Sequence, residues 1–75
     1  MEMPLSKLLK GQKATISVVL DSSSTLRLYE LGVVPGVELL IKAIAPFGSS
    51  YAIQLADFSL SIRKEDAQNI IVITD

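Results

Sequence analysis

Four separate stretches of this chain alternate apolar and polar side chains with a period of two. That repeat leaves little room for anything but short half-buried strands. In "ATISVVL" the residues Ala14, Ile16, Val18 and Leu20 share one face, while Thr15 and Ser17 take the other. In "VELLIKAIA", residues 37–45, Val37, Leu39, Ile41 and Ala43 point one way. Glu38 and Lys42 point the other way, next to Leu40 and Ile44. "YAIQL" alternates through Tyr51, Ile53 and Leu55, and Phe58, Leu60 and Ile62 alternate with Ser59, Ser61 and Arg63. A last run, "IIVIT", reads as a strand closing the chain. Each run offers one face to a core, because successive side chains of a strand lie on opposite sides.

Between the first and second runs the period changes. Asp21, Ser22, Ser23 and Ser24 offer several N-caps, and Leu28 and Leu31 recur at helical spacing with Arg27 and Glu30 beside them. A helix there must lay one stripe on the sheet, which predicts Leu28 and Leu31 buried and Glu30 exposed. Gly32 falls where the chain leaves the helix in the left-handed conformation, so its φ is predicted to be positive. Val34-Pro35-Gly36-Val37 then matches a type II turn that aims the chain into the next strand.

Shorter signals fill the rest. Leu5, Leu8 and Leu9 are spaced i, i+3, i+4 ahead of Gly11, as in a helical turn capping a core. "PFGSS" reads as a loop, Ala56-Asp57 as a tight turn, and "KEDAQN" as one helical turn at most. The expected fold is mainly β: a small closed barrel or packed orthogonal sheets of about five short strands. One helix is inserted after the first strand, and a helical turn lies near the N-terminus. Residues 1–75 are one domain, because so short a chain has no material for a second core.

Composition narrows the chemistry. The chain has no cysteine and no histidine, which excludes disulfides, thiolate and imidazole metal sites, and the commonest general base. Serines are plentiful, but no spacing pairs one with a lysine or carboxylate as a nucleophile needs, so no catalytic residue is assigned and an enzyme is not expected. Glu65 and Asp66 are adjacent and suit the dipole of a first helical turn. Asp21, Glu30, Glu38 and Asp57 are dispersed, so no metal ligand set is assigned. "GVVPG" follows a helix instead of preceding one and lacks the Lys-Ser/Thr of a phosphate loop, so no cofactor or nucleotide is expected. The net charge is −1 and the seven basic residues are scattered, which argues against nucleic-acid binding. Neither a secretory signal nor a membrane span can be read, and a cytosolic protein is the expectation.

Of the four aromatic residues, Tyr51 and Phe58 fall on inward strand faces and are expected in the core, and Tyr29 lies on the helix. Phe47 stands between Pro46 and Gly48 in a loop. It is either folded back as a core plug, the preferred reading, or exposed as a contact residue.

"LSKLLKGQKATI", "LRLYELGVVPGVEL", "APFG" and "LSIRKEDAQNIIV" occur in an order and spacing that resembles the FeoA family, small cytosolic ferrous-iron transport A proteins. The resemblance spans nearly the whole chain and is most specific at Leu31-Gly32, Pro35-Gly36 and Ile62-Arg63…Ala67…Ile70. It implies an SH3-like barrel and an accessory role beside FeoB, a membrane permease whose cytoplasmic portion is a GTP-binding domain. Three positions depart from the family pattern. Leu26-Arg27 stands where two arginines are usual, Gly48-Ser49-Ser50 where Gly-Asp-Pro is frequent, and Asp57 where glycine is usual.

A related module ends iron-dependent repressors, so a metal-responsive sensor or effector is the alternative. A stand-alone protein, without the DNA-binding region that precedes such a module, is expected. Without catalytic groups such a chain acts through its surface. The candidate partner-binding residues are Arg27 and Glu30 on the helix, Val33 and Val34 in the turn, and Phe47 in the loop. The expected state is a monomer or weak homo-oligomer, held at the inner face of the cell membrane only through its partner.

Overall fold

Six strands, not five, form from these patterns. The computed structural model describes residues 1–74. Its strands are β1 (Glu2–Pro4), β2 (Lys13–Val19), β3 (Glu38–Ile44), β4 (Ser50–Gln54), β5 (Ser59–Arg63) and β6 (Ile70–Ile73). Helix α1 (Thr25–Glu30) follows β2, and α2 (Lys64–Ala67) joins β5 to β6. Single 3-10 turns occupy Leu5–Lys7 and Pro46–Gly48. The unforeseen strand β1 is three residues long and contains Pro4, so no alternation announces it. It pairs with β6 at the sheet edge, where a residue without an N–H is tolerated. The terminal ammonium of Met1 donates to the Thr74 carbonyl at 2.7 Å.

All pairings are antiparallel, in the order β1-β6-β2-β3-β4-β5. Among the described residues the outer strands β1 and β5 do not pair, so the sheet curls into a barrel-like body without closing its ladder. The molecule measures 25 × 25 × 24 Å, as a strongly curled sheet requires. The Leu5–Lys7 turn reaches across the open side, where the Tyr51 hydroxyl donates to the Ser6 carbonyl at 2.9 Å. The Lys64 N–H, donating to the Ser49 carbonyl at 3.1 Å, carries the β4–β5 ladder into α2.

Two β-bulges supply the curl and correct the period-two reading. In β2, Ile16 opposes Val72 and Val18 opposes Ile71, so Ser17 is an extra residue. One extra residue reverses every later side chain, so Val19 enters the core while Val18 and Leu20 are exposed. In β3, Ile41 opposes Ile53 and Ala43 opposes Ala52, which makes Lys42 the extra residue and leaves Ala43 exposed.

The core is filled by Leu5, Leu8, Ile16, Leu39, Ile41, Ile53, Ile62, Ile70 and Val72, with Tyr51 inside as expected. Leu9 is exposed, because the 3-10 turn ends at Lys7 and Leu8 returns to extended backbone. Phe58 is also outside the core. It precedes β5 in the hairpin turn, where the Leu55 N–H donates to the Phe58 carbonyl at 2.8 Å.

Candidate functional site

Helix α1 is only six residues long, and its ends are held unequally. None of the candidate serines caps it through a side chain: Ser24 at the N-cap has helical φ and ψ and makes no such bond. Thr25 does the holding instead. Its hydroxyl accepts from the Ser22 N–H at 2.8 Å and donates to the Leu20 carbonyl at 2.9 Å, tying the helix start to the end of β2.

The other end is a Schellman motif. Gly32 has φ +95°, as predicted, and its N–H donates to the Tyr29 carbonyl at 3.0 Å. The Val33 N–H donates to the Leu28 carbonyl at 2.9 Å. This motif brings the residue after glycine onto the residue five positions earlier, and both Val33 and Leu28 are fully buried. Val33 is therefore core and is withdrawn from the set of surface candidates. The Val37 N–H then donates to the Val34 carbonyl at 3.3 Å with Gly36 at φ +93°, the expected type II geometry.

Leu31 corrects a second expectation. It is 40% exposed, because a helix of under two turns presses only Leu28 into the core. Leu31 instead lines a cleft of about 170 Å³ between α1 and β5–α2, together with Ser24, Arg27, Ser61, Arg63 and Asp66. Arg63 Nη2 lies 3.6 Å from Asp66 Oδ2, an ion pair between the last residue of β5 and the first turn of α2. Arg27 makes no ion pair among the described residues, so the cleft keeps one uncompensated guanidinium beside two hydroxyl-bearing serines.

Around this cleft α1 is apolar on its outer face as well. Leu26 is 71% exposed, and Tyr29 and Phe58 are nearly half exposed. The Phe58 ring rests against Gly32, where an added Cβ would lie 3.3 Å from Cζ. Of the sequence-derived candidates, Arg27 belongs to this face, Glu30 is exposed at the helix end, and Val34 is half-buried in the turn. Phe47 is not a core plug. It is fully exposed, and it lies at the opposite end of β4 from the Gly32–Phe58 corner.

Leu26, Tyr29 and Phe58 were not among the candidates. The available signal was a helix with Leu26 and Tyr29 on the face opposite Leu28, apolar on both sides of so small a domain. A second groove of about 320 Å³ is lined by Val37, Leu39, Leu40, Leu55 and Ala56, with Lys13 and Glu38 at its rim. No group of three carboxylates converges among the described residues, and no helix there is long and apolar enough to cross a membrane.

Comparison with known proteins places this arrangement. Residues 3–74 match the FeoA domain model. The NMR structure of an FeoA-like protein from Clostridium acetobutylicum superposes with a TM-score of 0.88 at 28% identity, covering 97% of this chain and 86% of that one. Stenotrophomonas maltophilia FeoA complexed with zinc, a prokaryotic SH3 domain protein, gives a TM-score of 0.83 at 29% identity over 95% and 89% of the two chains. The T. acidophilum IdeR crystal structure gives 0.86 at 21% identity over 99% of this chain but 34% of that one, a likeness of fold alone. No curated protein sequence matches significantly.

Proposed function

This chain belongs to the FeoA domain family, and we propose that it serves ferrous-iron transport by docking on the cytoplasmic GTP-binding domain of an FeoB-type permease. Membership in the family gives the role in ferrous-iron transport and the SH3-like architecture. The partner and the docking face are our reading of the surface.

One observation carries it: a six-residue helix that exposes Leu26, Tyr29 and Leu31 around a cleft holding the unpaired Arg27. Large apolar side chains left outside a small core favour association, and aromatic and arginine residues are enriched where interfaces are strongest. The cleft fits a carboxylate of the partner, which would meet Arg27 and the Ser24 and Ser61 hydroxyls while Leu26, Tyr29 and Phe58 supply apolar area. Glu30 and Val34 sit at the edge of this face and orient the contact. The protein then acts in the cytoplasm as a regulatory or assembly subunit, without bound nucleotide. The repressor-like alternative rests on fold likeness at 21% identity, and no residue of this chain adds to it.

The test is a titration of the permease's cytoplasmic domain with this protein in the absence of nucleotide, with GDP, and with a GTP analogue. Saturable binding is expected in at least one nucleotide state, weakened about tenfold or more by Leu26→Asp, an exposed position where folding is unaffected. Absence of binding in all three states, or full-strength binding by a folded Leu26→Asp variant, overturns the reading.

A further inference from the structure

The tip of the β3–β4 loop is at odds with its own residue. Phe47 has φ 63° and ψ 17°, and among the described residues no other non-glycine has positive φ. That conformation strains an L-residue, and phenylalanine lacks the short polar side chain that lets asparagine or aspartate offset it. Nothing within the chain compensates, because the side chain is 101% exposed. An asparagine would make the same turn at lower cost, so the ring is held out at the expense of stability.

Four lysines lie on elements at the same end of the barrel as that ring. Lys42 is the bulged, exposed residue of β3 two positions before the loop-side end of its strand. Lys64 opens α2, and its N–H bonds the loop carbonyl of Ser49. Lys7 adjoins Ser6, the acceptor of the Tyr51 hydroxyl. The turn carrying Leu9 and Lys10 is fixed beside Lys42 by the Gly11 N–H donating to the Ile41 carbonyl at 2.8 Å. All four lysines and Leu9 are exposed, and none of the lysines has an ion pair among the described residues.

Glu65 on α2 is the nearby acid, while Arg63 and Asp66 neutralise each other. The other acids among the described residues lie away from this end, Glu2 being bonded by Ser17 of β2 and Asp21 following the far end of that strand. Glu38 begins β3, Asp57 is in the hairpin turn at the far end of β4, and Glu30 ends α1 beside that same corner. A chain of net charge −1 is thus locally basic around one protruding aromatic ring and one exposed leucine.

We propose that this end of the barrel is a reversible anchor for an anionic phospholipid surface. Phe47 inserts at the boundary of headgroups and acyl chains, with Leu9 beside it. Lys7, Lys10, Lys42 and Lys64 meet lipid phosphates while their methylene stems follow the apolar surface. A lone protruding ring with a lysine collar suits a fluid interface, which needs no shaped pocket and is drawn by charge. The surface is distinct from the α1 face, and weak binding here would concentrate the protein near any membrane partner.

Vesicle co-sedimentation tests it, using phosphatidylcholine alone and phosphatidylcholine mixed with phosphatidylglycerol, at low and high salt. The expected result is binding to the anionic vesicles at low salt that falls about tenfold or more at high salt. Phe47→Asn should melt no lower than the parent and lose the binding, as should the Lys42→Glu/Lys64→Glu pair. Leu26→Asp should keep it, which separates this surface from the permease reading. The chain has no tryptophan, so Phe47→Trp gives a single reporter whose emission should shift to shorter wavelength on anionic vesicles. Failure of the parent to bind, equal binding to neutral vesicles, or undiminished binding by Phe47→Asn overturns the proposal. So does an effect of Phe47→Asn on permease-domain binding in solution without any vesicle binding, which would make Phe47 a protein contact.

Discussion

Gly32→Ala tests the joint between α1 and the barrel. The backbone there has φ +95°, and an L-residue in left-handed geometry costs about 1–2 kcal/mol. The new Cβ would lie 3.3 Å from Phe58 Cζ and 4.0 Å from Leu55 Cδ1. The first distance is tight, but it meets the far end of a half-exposed ring that can tilt away, so the backbone term dominates. Alanine also narrows the unfolded ensemble, which returns about 0.4–1 kcal/mol. If the helix end unwinds to relieve φ, the Gly32→Tyr29 and Val33→Leu28 bonds are lost, and each contributes about 0.5–1.5 kcal/mol. The expected net loss is therefore about 0.5–1.5 kcal/mol, or a fall in melting temperature of roughly 2–12 °C for a domain of this length. Thermal unfolding followed by circular dichroism measures it. Gly32→Asn should lose less, since asparagine tolerates left-handed backbone, and a Phe58→Ala background should leave the loss nearly unchanged. An unaltered melt for Gly32→Ala, or a larger loss for Gly32→Asn, would refute the argument.

Two other substitutions check the packing. Leu28→Ala should destabilise by about 2–5 kcal/mol, whereas Leu31→Ala, on the cleft wall, should cost less than about 1 kcal/mol; chemical denaturation distinguishes them, and equal losses contradict the assignment of Leu31 to the surface. Tyr51→Phe removes only the hydroxyl that donates to the Ser6 carbonyl across the open side of the sheet, and should cost about 0.5–1.5 kcal/mol. A melt identical to the parent would show that this bridge is dispensable.

The alternating runs made four of the strands legible, and Gly32, Pro35 and Gly36 announced the path between α1 and β3. The bulges were not legible. Ser17 and Lys42 are ordinary strand residues by type, and only pairing with β6 and β4 shows that each is one residue too many. Every error about Val18, Leu20 and Ala43 follows from those two insertions. Val33 was misplaced because the Schellman contact is a tertiary consequence of where Leu28 packs. Phe47 could not be resolved from its neighbours, since Pro46-Phe47-Gly48 is compatible with either direction of the ring. On the candidate site, Arg27 was visible as a charge on a helix. Its cleft was not, because Ser61, Arg63 and Asp66 reach it from elements more than thirty residues away in sequence.

The α1 face, with its cleft, is the proposed surface for the permease's cytoplasmic domain. Amide chemical-shift mapping of this protein during titration with that domain tests it most directly. The largest shifts are expected at Leu26, Arg27, Tyr29, Leu31, Phe58 and Arg63, with β1 and the outer face of β6 unmoved. Saturable shifts confined to β1 and β6, or no shifts at a large excess of the domain, would contradict it.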